Sequence, residues 1–117
     1  MAHEPLSALR FSRLLITGAA GGLGRELRGR MKAYCDHLRL SDIADLGEAA
    51  PGEELCPAAL QDRAAVLPLL AGVDAVIHLG GLSTEYDFDA ILQTNILGTY
   101  NLYEGARRHG VKRVVFA

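Results

Sequence analysis

The stretch Arg13-Leu14-Leu15-Ile16-Thr17-Gly18-Ala19-Ala20-Gly21-Gly22-Leu23-Gly24 decides the fold of this chain. Its first half is nearly all apolar, as in a strand buried on both faces of a parallel sheet. Glycine follows at once at 18, 21 and 24. Leu23, Leu27, Met31 and Tyr34 then recur at three- and four-residue spacing, which predicts a helix from about Gly22 to about Ala33. Between a strand and a helix the glycines have separable tasks. Gly18 makes the sharp turn, Gly21 or Gly22 lets a pyrophosphate approach the backbone, and Gly24 lets the helix lie close on the strand. The anion would meet unpaired N–H groups and the positive end of the helix dipole. A tight strand–helix turn without a ligand is the plainer reading of any glycine triplet, and the strand before it and helix after it argue against that reading here. A phosphate loop of the ATPase type is excluded, because Arg25 and Glu26 follow Gly24 where Lys and Ser or Thr would be needed.

Working outward, His37 to Leu40 is extended and ends at Ser41-Asp42, and Ile43 to Glu54 reads as loop or a single helical turn around Gly47, Pro51 and Gly52. A third strand is expected near Leu55-Cys56, held to an edge by Pro57. Asp62 caps a helix whose apolar face uses Val66, Leu67, Leu69 and Leu70; Pro68 bends it and Gly72 closes it. Asp74 to Gly80 is the clearest buried strand. A long helix follows, roughly Phe88 to His109, with Ile91, Leu92, Ile96, Thr99, Leu102, Tyr103 and Ala106 on one stripe and Gly110 as its stop; Val111 to Phe116 is a last apolar strand. Alternating strands and helices imply right-handed crossovers. The fold class expected is therefore α/β, a Rossmann-type doubly wound parallel sheet of about five strands in the order 3-2-1-4-5, ending after the fifth.

Composition agrees with one domain. The chain has 117 residues, half of them apolar and 22% charged, with 12 Lys plus Arg against 14 Asp plus Glu. Residues 1–10 read as a loose leader and 11–117 as the domain, with neither a signal peptide nor a membrane span in the leader. No basic block exceeds Arg107-Arg108, so nucleic acid and anionic membrane are not expected partners. Cys35 and Cys56 read as reduced thiols of a cytoplasmic protein. No metal site is expected. Gly is high at 13, and the lysines are Lys32 and Lys112 alone.

Asp42 ends the second strand within the twenty-odd residues expected after the glycines. A carboxylate there accepts hydrogen bonds from the adenosine ribose hydroxyls and repels a 2′-phosphate, and its neighbours Ile43, Ala44 and Asp45 are not basic. NAD is thus favoured over NADP. A turn-capping loop aspartate is the alternative reading. An S-adenosylmethionine methyltransferase also uses a glycine loop and an acidic residue after the second strand, but with tighter glycine spacing.

The glycine loop at 17–24, Leu40-Ser41-Asp42-Ile43, His78-Leu79-Gly80-Gly81 and Asn95-Ile96-Leu97-Gly98-Thr99 together resemble the extended short-chain dehydrogenase/reductases, the NAD-dependent epimerase/dehydratase family. Within it, Arg39 to Ile43, His78 to Ser83 and Asn95 to Glu104 are similar to uronate dehydrogenases, which oxidise galacturonate or glucuronate to the aldarolactone. The likeness runs from about Leu14 to Ala117. It implies a cofactor set of Gly18, Gly21, Gly22, Leu23 and Gly24 at the pyrophosphate, Asp42 and Ile43 at the adenosine, Leu60, then Leu79, Gly80 and Gly81 after the fourth strand, and Asn95 supporting the active site. Ser83 matches a substrate-contacting serine. His78 reads as a packed strand-end residue, Asn95 also as a helix bend or cap, and Ser83 also as a loop hydroxyl.

Two departures stand out. Ala59 occupies the position where the family places an aspartate that accepts from the adenine amino group, which removes a hydrogen bond worth about 1 kcal/mol. The family's catalytic tyrosine and the lysine four residues later have no counterpart: Leu38, Ala90, Glu104 and Arg107 follow Tyr34, Tyr86, Tyr100 and Tyr103 at that spacing. No catalytic residue is therefore assigned. The resemblance implies the amino-terminal cofactor-binding part of a longer oxidoreductase that takes a sugar acid or nucleotide sugar and forms a homo-oligomer when intact, with this chain inactive alone. A nucleotide-sugar epimerase or dehydratase fragment and a non-catalytic dinucleotide-binding module are the alternatives.

Overall fold

The computed structural model describes residues 10–82 and 86–117. β1 (Phe11–Thr17) buries Leu14, Leu15, Ile16 and Thr17 in succession, so both of its faces are covered. That makes it the centre of a five-stranded parallel sheet with β2 (Cys35–Ser41), β3 (Glu53–Leu55), β4 (Ala75–His78) and β5 (Arg113–Phe116), in the order β3-β2-β1-β4-β5. This is the Rossmann-type arrangement and strand order expected. Side chains alternate across the sheet. Leu14 and Ile16 join Leu38, Leu40 and Ala75 under α1 (Gly22–Met31), where Leu27 and Met31 pack. Leu15 and Val76 face the other way, onto Val66, Leu69 and Leu70 of α2 (Arg63–Val66) and the 3₁₀ turn that continues it, and onto Leu102 and Ala106 of α4 (Gly98–His109). Each fully buried aliphatic side chain contributes about 1.5–3 kcal/mol of transfer free energy.

Local signals explain the helix ends. Asp62 caps α2 through the Ala65 N–H, and Asp87 caps α3 (Phe88–Ile91) through the Ala90 N–H. Pro68 does what was expected of it. The helix tightens into the 3₁₀ turn Leu67–Leu70 there. Between α3 and α4 the chain stays helical but widens into a π-helical segment, Leu92–Leu97, so the helix expected from Phe88 to His109 is present but not uniform. The wider turn shifts the phase of the stripe: Leu102 and Ala106 are buried, whereas Ile96 and Tyr103 are exposed. Leu23, assigned to the buried face of α1, is exposed as well.

The third strand also departs from its expected place. It runs Glu53–Leu55, two residues before Leu55-Cys56, although the Cys56 N–H still donates to the Leu40 carbonyl at 2.8 Å before Pro57 ends the ladder. The reason is a buried charge that reads as loop in the sequence. Glu53 is fully covered and accepts from Arg28 Nε (2.9 Å) and the Ala50 N–H (2.8 Å), with Lys32 Nζ 3.0 Å away. Arg28 also donates to the carbonyls of Leu46 and Glu48, at 2.6 and 2.8 Å. One guanidinium thus ties α1, β3 and the loop after β2 together. Arg10, assigned to the leader, is also tied down, donating to Asp36 at 2.9 Å.

The Arg28 guanidinium holds the Glu53 carboxyl down to about 2, so its contribution to stability is complete above pH 4.5 and is lost as pH falls through about 2. Glu53→Ala, which strands Arg28, should cost about 3–5 kcal/mol at neutral pH. In urea denaturation, the stability gap between the unmodified chain and Glu53→Gln should narrow as pH drops from 4.5 toward 2.

Candidate functional site

The parallel register brings the carboxyl ends of the three central strands level, with Thr17 paired to both Ser41 and His78. β2 lies on one side of β1 and β4 on the other, so the loops leaving these strands diverge. A crevice opens between them, as at the switch point of any doubly wound sheet. It holds a cavity of about 300 Å³ lined by residues that follow β1, β2, β3 and β4.

The first wall is the turn from β1 into α1. Gly18 has φ +68°, and a Cβ on it would stand 2.6 Å from the Leu79 carbonyl carbon. Gly24 is buried beneath that turn, where a Cβ would run into the Gly18 carbonyl oxygen. Both positions therefore require glycine. Gly21 begins α1 with no side-chain cap and no acidic residue in the first turn, and a Cβ on Gly22 would meet nothing within 4 Å. Open space lies in front of an uncapped helix start. That combination suits a phosphate.

Asp42 forms the second wall. Its Oδ2 accepts from the Ala20 N–H and its Oδ1 from the Ala44 N–H, each at 3.0 Å. These bonds fix the carboxylate over the glycine turn and leave further lone pairs for hydroxyls. Ile43 beside it is 77% exposed, an apolar surface at the cavity's rim. Leu60 supplies the opposing apolar surface. It packs so tightly that a Cβ on Gly98 or Gly80 would approach it to 2.6 or 2.9 Å, and its carbonyl accepts from buried Asn101 at 3.0 Å.

The loop after β4 is held by Thr17. Its hydroxyl accepts from the N–H groups of Leu79 and Gly80, each at 3.1 Å, and lies 2.6 Å from His78 Nδ1. With both lone pairs occupied, the hydroxyl hydrogen must be donated to Nδ1. His78 is therefore the neutral tautomer with its proton on Nε2. That ring is 1% exposed, Nε2 has no protein partner among the described residues, and the ring packs on Phe116 at 5.5 Å between centroids. Burial pushes the imidazole down to about 4.

Asn95 acts at the far end of the same loop. Its side chain brackets the Leu82 peptide, accepting from the N–H at 2.7 Å and donating to the carbonyl at 3.0 Å. It lines a smaller adjoining cavity of about 160 Å³ with Thr99 and Phe116. The π-helical segment carries it there, and such segments often occur at functional sites.

Of the residues singled out from sequence, Gly18, Gly21, Asp42, Ile43, Leu60, Leu79, Gly80 and Gly81 line the larger cavity. Gly22 and Leu23 lie exposed at the first turn of α1, Gly24 lies beneath it, and Ser83 lies outside the described residues. Thr17, Ala58, Gln61, Leu82 and Thr94 also line the cavity but were not singled out. Thr17 was legible as part of the glycine motif; the others sit in a loop or a π turn that no local pattern announces. Among the described residues no cluster of three or more His, Cys, Asp or Glu could hold a metal ion, and no helix is long and apolar enough to cross a membrane.

An anion-receptive helix start and a fixed carboxylate at a Rossmann switch point define a dinucleotide-binding class of α/β domain. Residues 14–117 match the NAD dependent epimerase/dehydratase family, and the chain belongs to it. It is 57% identical over 108 residues to the uronate dehydrogenase of Pseudomonas putida, covering 92% of this chain and 40% of that one. The crystal structure of uronate dehydrogenase from Agrobacterium tumefaciens is 52% identical, with a TM-score of 0.88 over 91% of this chain and 40% of that one. The glucuronic acid dehydrogenase structure from Chromohalobacter salexigens is 50% identical, with a TM-score of 0.88 over 92% of this chain and 40% of that one. The chain spans about 40% of the length of the curated uronate dehydrogenases it matches.

Because the folded His78 titrates below the ordinary 6.5, its contribution to stability is complete above pH 6.5 and lost as pH falls toward 4. An NMR titration of the imidazole should show Nε2 protonated and Nδ1 bare at pH 7, with a midpoint near 4. Thr17→Val leaves the Gly80 N–H and Nδ1 without their partner, while the Leu79 N–H keeps the Thr17 carbonyl at 3.2 Å, and should cost about 1–3 kcal/mol in denaturant unfolding.

Proposed function

We propose that this chain binds NAD in the larger cavity and forms the cofactor-binding part of an oxidoreductase acting on uronic acids such as galacturonate or glucuronate. One observation carries the reading: the uncapped start of α1 opens onto the same cavity as Asp42. The pyrophosphate would lie against the backbone at Gly21, Gly22 and Leu23. Asp42 would accept the adenosine ribose hydroxyls and repel a 2′-phosphate, and the adenine would lie between Ile43 and Leu60. Gly80, Gly81 and Leu82, held by Thr17 and Asn95, would line the nicotinamide end. Bound NAD supplies a hydride acceptor for the carbon being oxidised.

The names of the similar proteins support the substrate class, and a variant of the Agrobacterium enzyme is described as complexed with NAD. Ser83 is proposed as a substrate contact on the resemblance alone. Free Cys35 and Cys56 support a cytoplasmic setting. The exposed Ile96, Leu97, Tyr100 and Tyr103 support self-association of the intact protein.

Calorimetric titration with NAD tests the reading. Asp42→Ala should weaken NAD about tenfold or more, while narrowing the preference over NADP. Unchanged affinity would discard the cofactor assignment. Because the sequence contains no tyrosine with a lysine four residues later, the 117-residue chain should produce no NADH from galacturonate.

A further inference from the structure

The short turn that carries Leu60 and Gln61 is pinned on both sides. Buried Asn101 donates to the Leu60 carbonyl at 3.0 Å, and the Asp62 N–H donates to the Ala59 carbonyl at 3.0 Å just before Asp62 caps α2. The same segment is held against the end of β2 by the Ala58 N–H, which donates to the Asp42 carbonyl at 3.3 Å. The backbone at Gln61 is therefore held close to the end of β2, and Gln61 lines the same cavity as Asp42 and the apolar Ile43, Ala58 and Leu60. It is the one carboxamide among the described lining residues. The other polar side chains lining this cavity are the hydroxyls of Thr17, Ser41 and Thr94 and the Asp42 carboxylate, which already accepts from the Ala20 and Ala44 N–H groups, and Ala59 beside Gln61 ends in a methyl group.

A flat heteroaromatic base on those apolar surfaces would still need hydrogen-bond partners for its polar edge. Adenine offers an amino donor there next to a ring-nitrogen acceptor. Gln61 offers the complement, a carbonyl acceptor and an NH₂ donor on one planar group. We propose that Gln61 reads the purine edge of the bound dinucleotide and makes this site tolerant of the base. The proposal rests on the NAD reading given above. Rotating the amide by half a turn exchanges its acceptor and donor, so the same side chain that accepts from the 6-amino group of adenine donates to the 6-oxo group of hypoxanthine. A carboxylate is acceptor-only when ionised and would meet the adenine ring nitrogen, or the 6-oxo group of hypoxanthine, with repulsion. The amide therefore widens the site's range to both purine dinucleotides.

The test is calorimetric titration of the full chain with NAD and with nicotinamide hypoxanthine dinucleotide, using Gln61→Ala, Gln61→Glu and Asp42→Ala. Gln61 is exposed, so circular dichroism of its variants should match the unmodified chain. The unmodified chain should bind the two dinucleotides within about threefold of each other. Gln61→Ala should weaken both about fivefold, and Gln61→Glu, which cannot donate to the adenine ring nitrogen or to the 6-oxo group, should restore neither. If Gln61→Ala leaves both affinities unchanged while Asp42→Ala weakens them, the base-reading role is wrong and the NAD site stands. If the folded chain binds neither dinucleotide, or Asp42→Ala has no effect, the NAD reading falls and this proposal falls with it.

Discussion

At Gly18 and Gly24, where the end of β1 passes under the first turn of α1, there is no room for a side chain, and the rest of the site depends on that. The Gly18 carbonyl lies directly over Gly24, and a Cβ on Gly18 would press into the Leu79–Gly80 backbone of the loop after β4. This closeness lets α1 begin at the carboxyl end of the central strand, so that its unpaired N–H groups open onto the crevice. A methyl group at either glycine would push α1 or the β4 loop outward. The anion-receptive helix start and the loop facing it would then separate.

Thr17 extends the same economy to the other side of the crevice. One hydroxyl holds two consecutive N–H groups of the β4 loop and dictates the tautomer of His78. The arrangement requires a neutral ring, because an imidazolium would place a proton on Nδ1 toward an oxygen that has no lone pair left for it. Burial against Phe116 keeps the ring neutral, and the packing and the proton count agree. Asn95 completes the loop's restraint from the π-helical segment. The loop's shape is thus set by side chains from β1 and from the helix after it.

Much of this was legible in the sequence, for identifiable reasons. β1 and β4 are short apolar runs bounded by glycine, and α1 follows a glycine motif whose spacing has a physical meaning. Asp62 and Gly110 mark their helix ends by cap chemistry. β3 lies earlier than its apolar residues suggest because its buried residue is Glu53, and a buried carboxylate cannot be told from a loop carboxylate until its partners Arg28 and Lys32 are known. The stripe of the long helix departs from simple periodicity at Ile96 and Tyr103 because the π-helical segment rotates the phase. Gln61 and Thr94 left no trace in the pattern, since they reach the cavity through a turn and a widened helix.

By itself the sequence determined the strand and helix alternation, the glycine turn and the acidic residue after β2, because these rest on local periodicity, steric freedom and short spacing along the chain. Tertiary structure alone decided that Glu53 is a core residue, that the Thr17 hydroxyl meets His78, that Asn95 grips Leu82 and that Gln61 lines the cavity. Each of these joins groups far apart in the chain or hidden in a loop. Such contacts depend on how the sheet brings strand ends level, which local sequence does not encode.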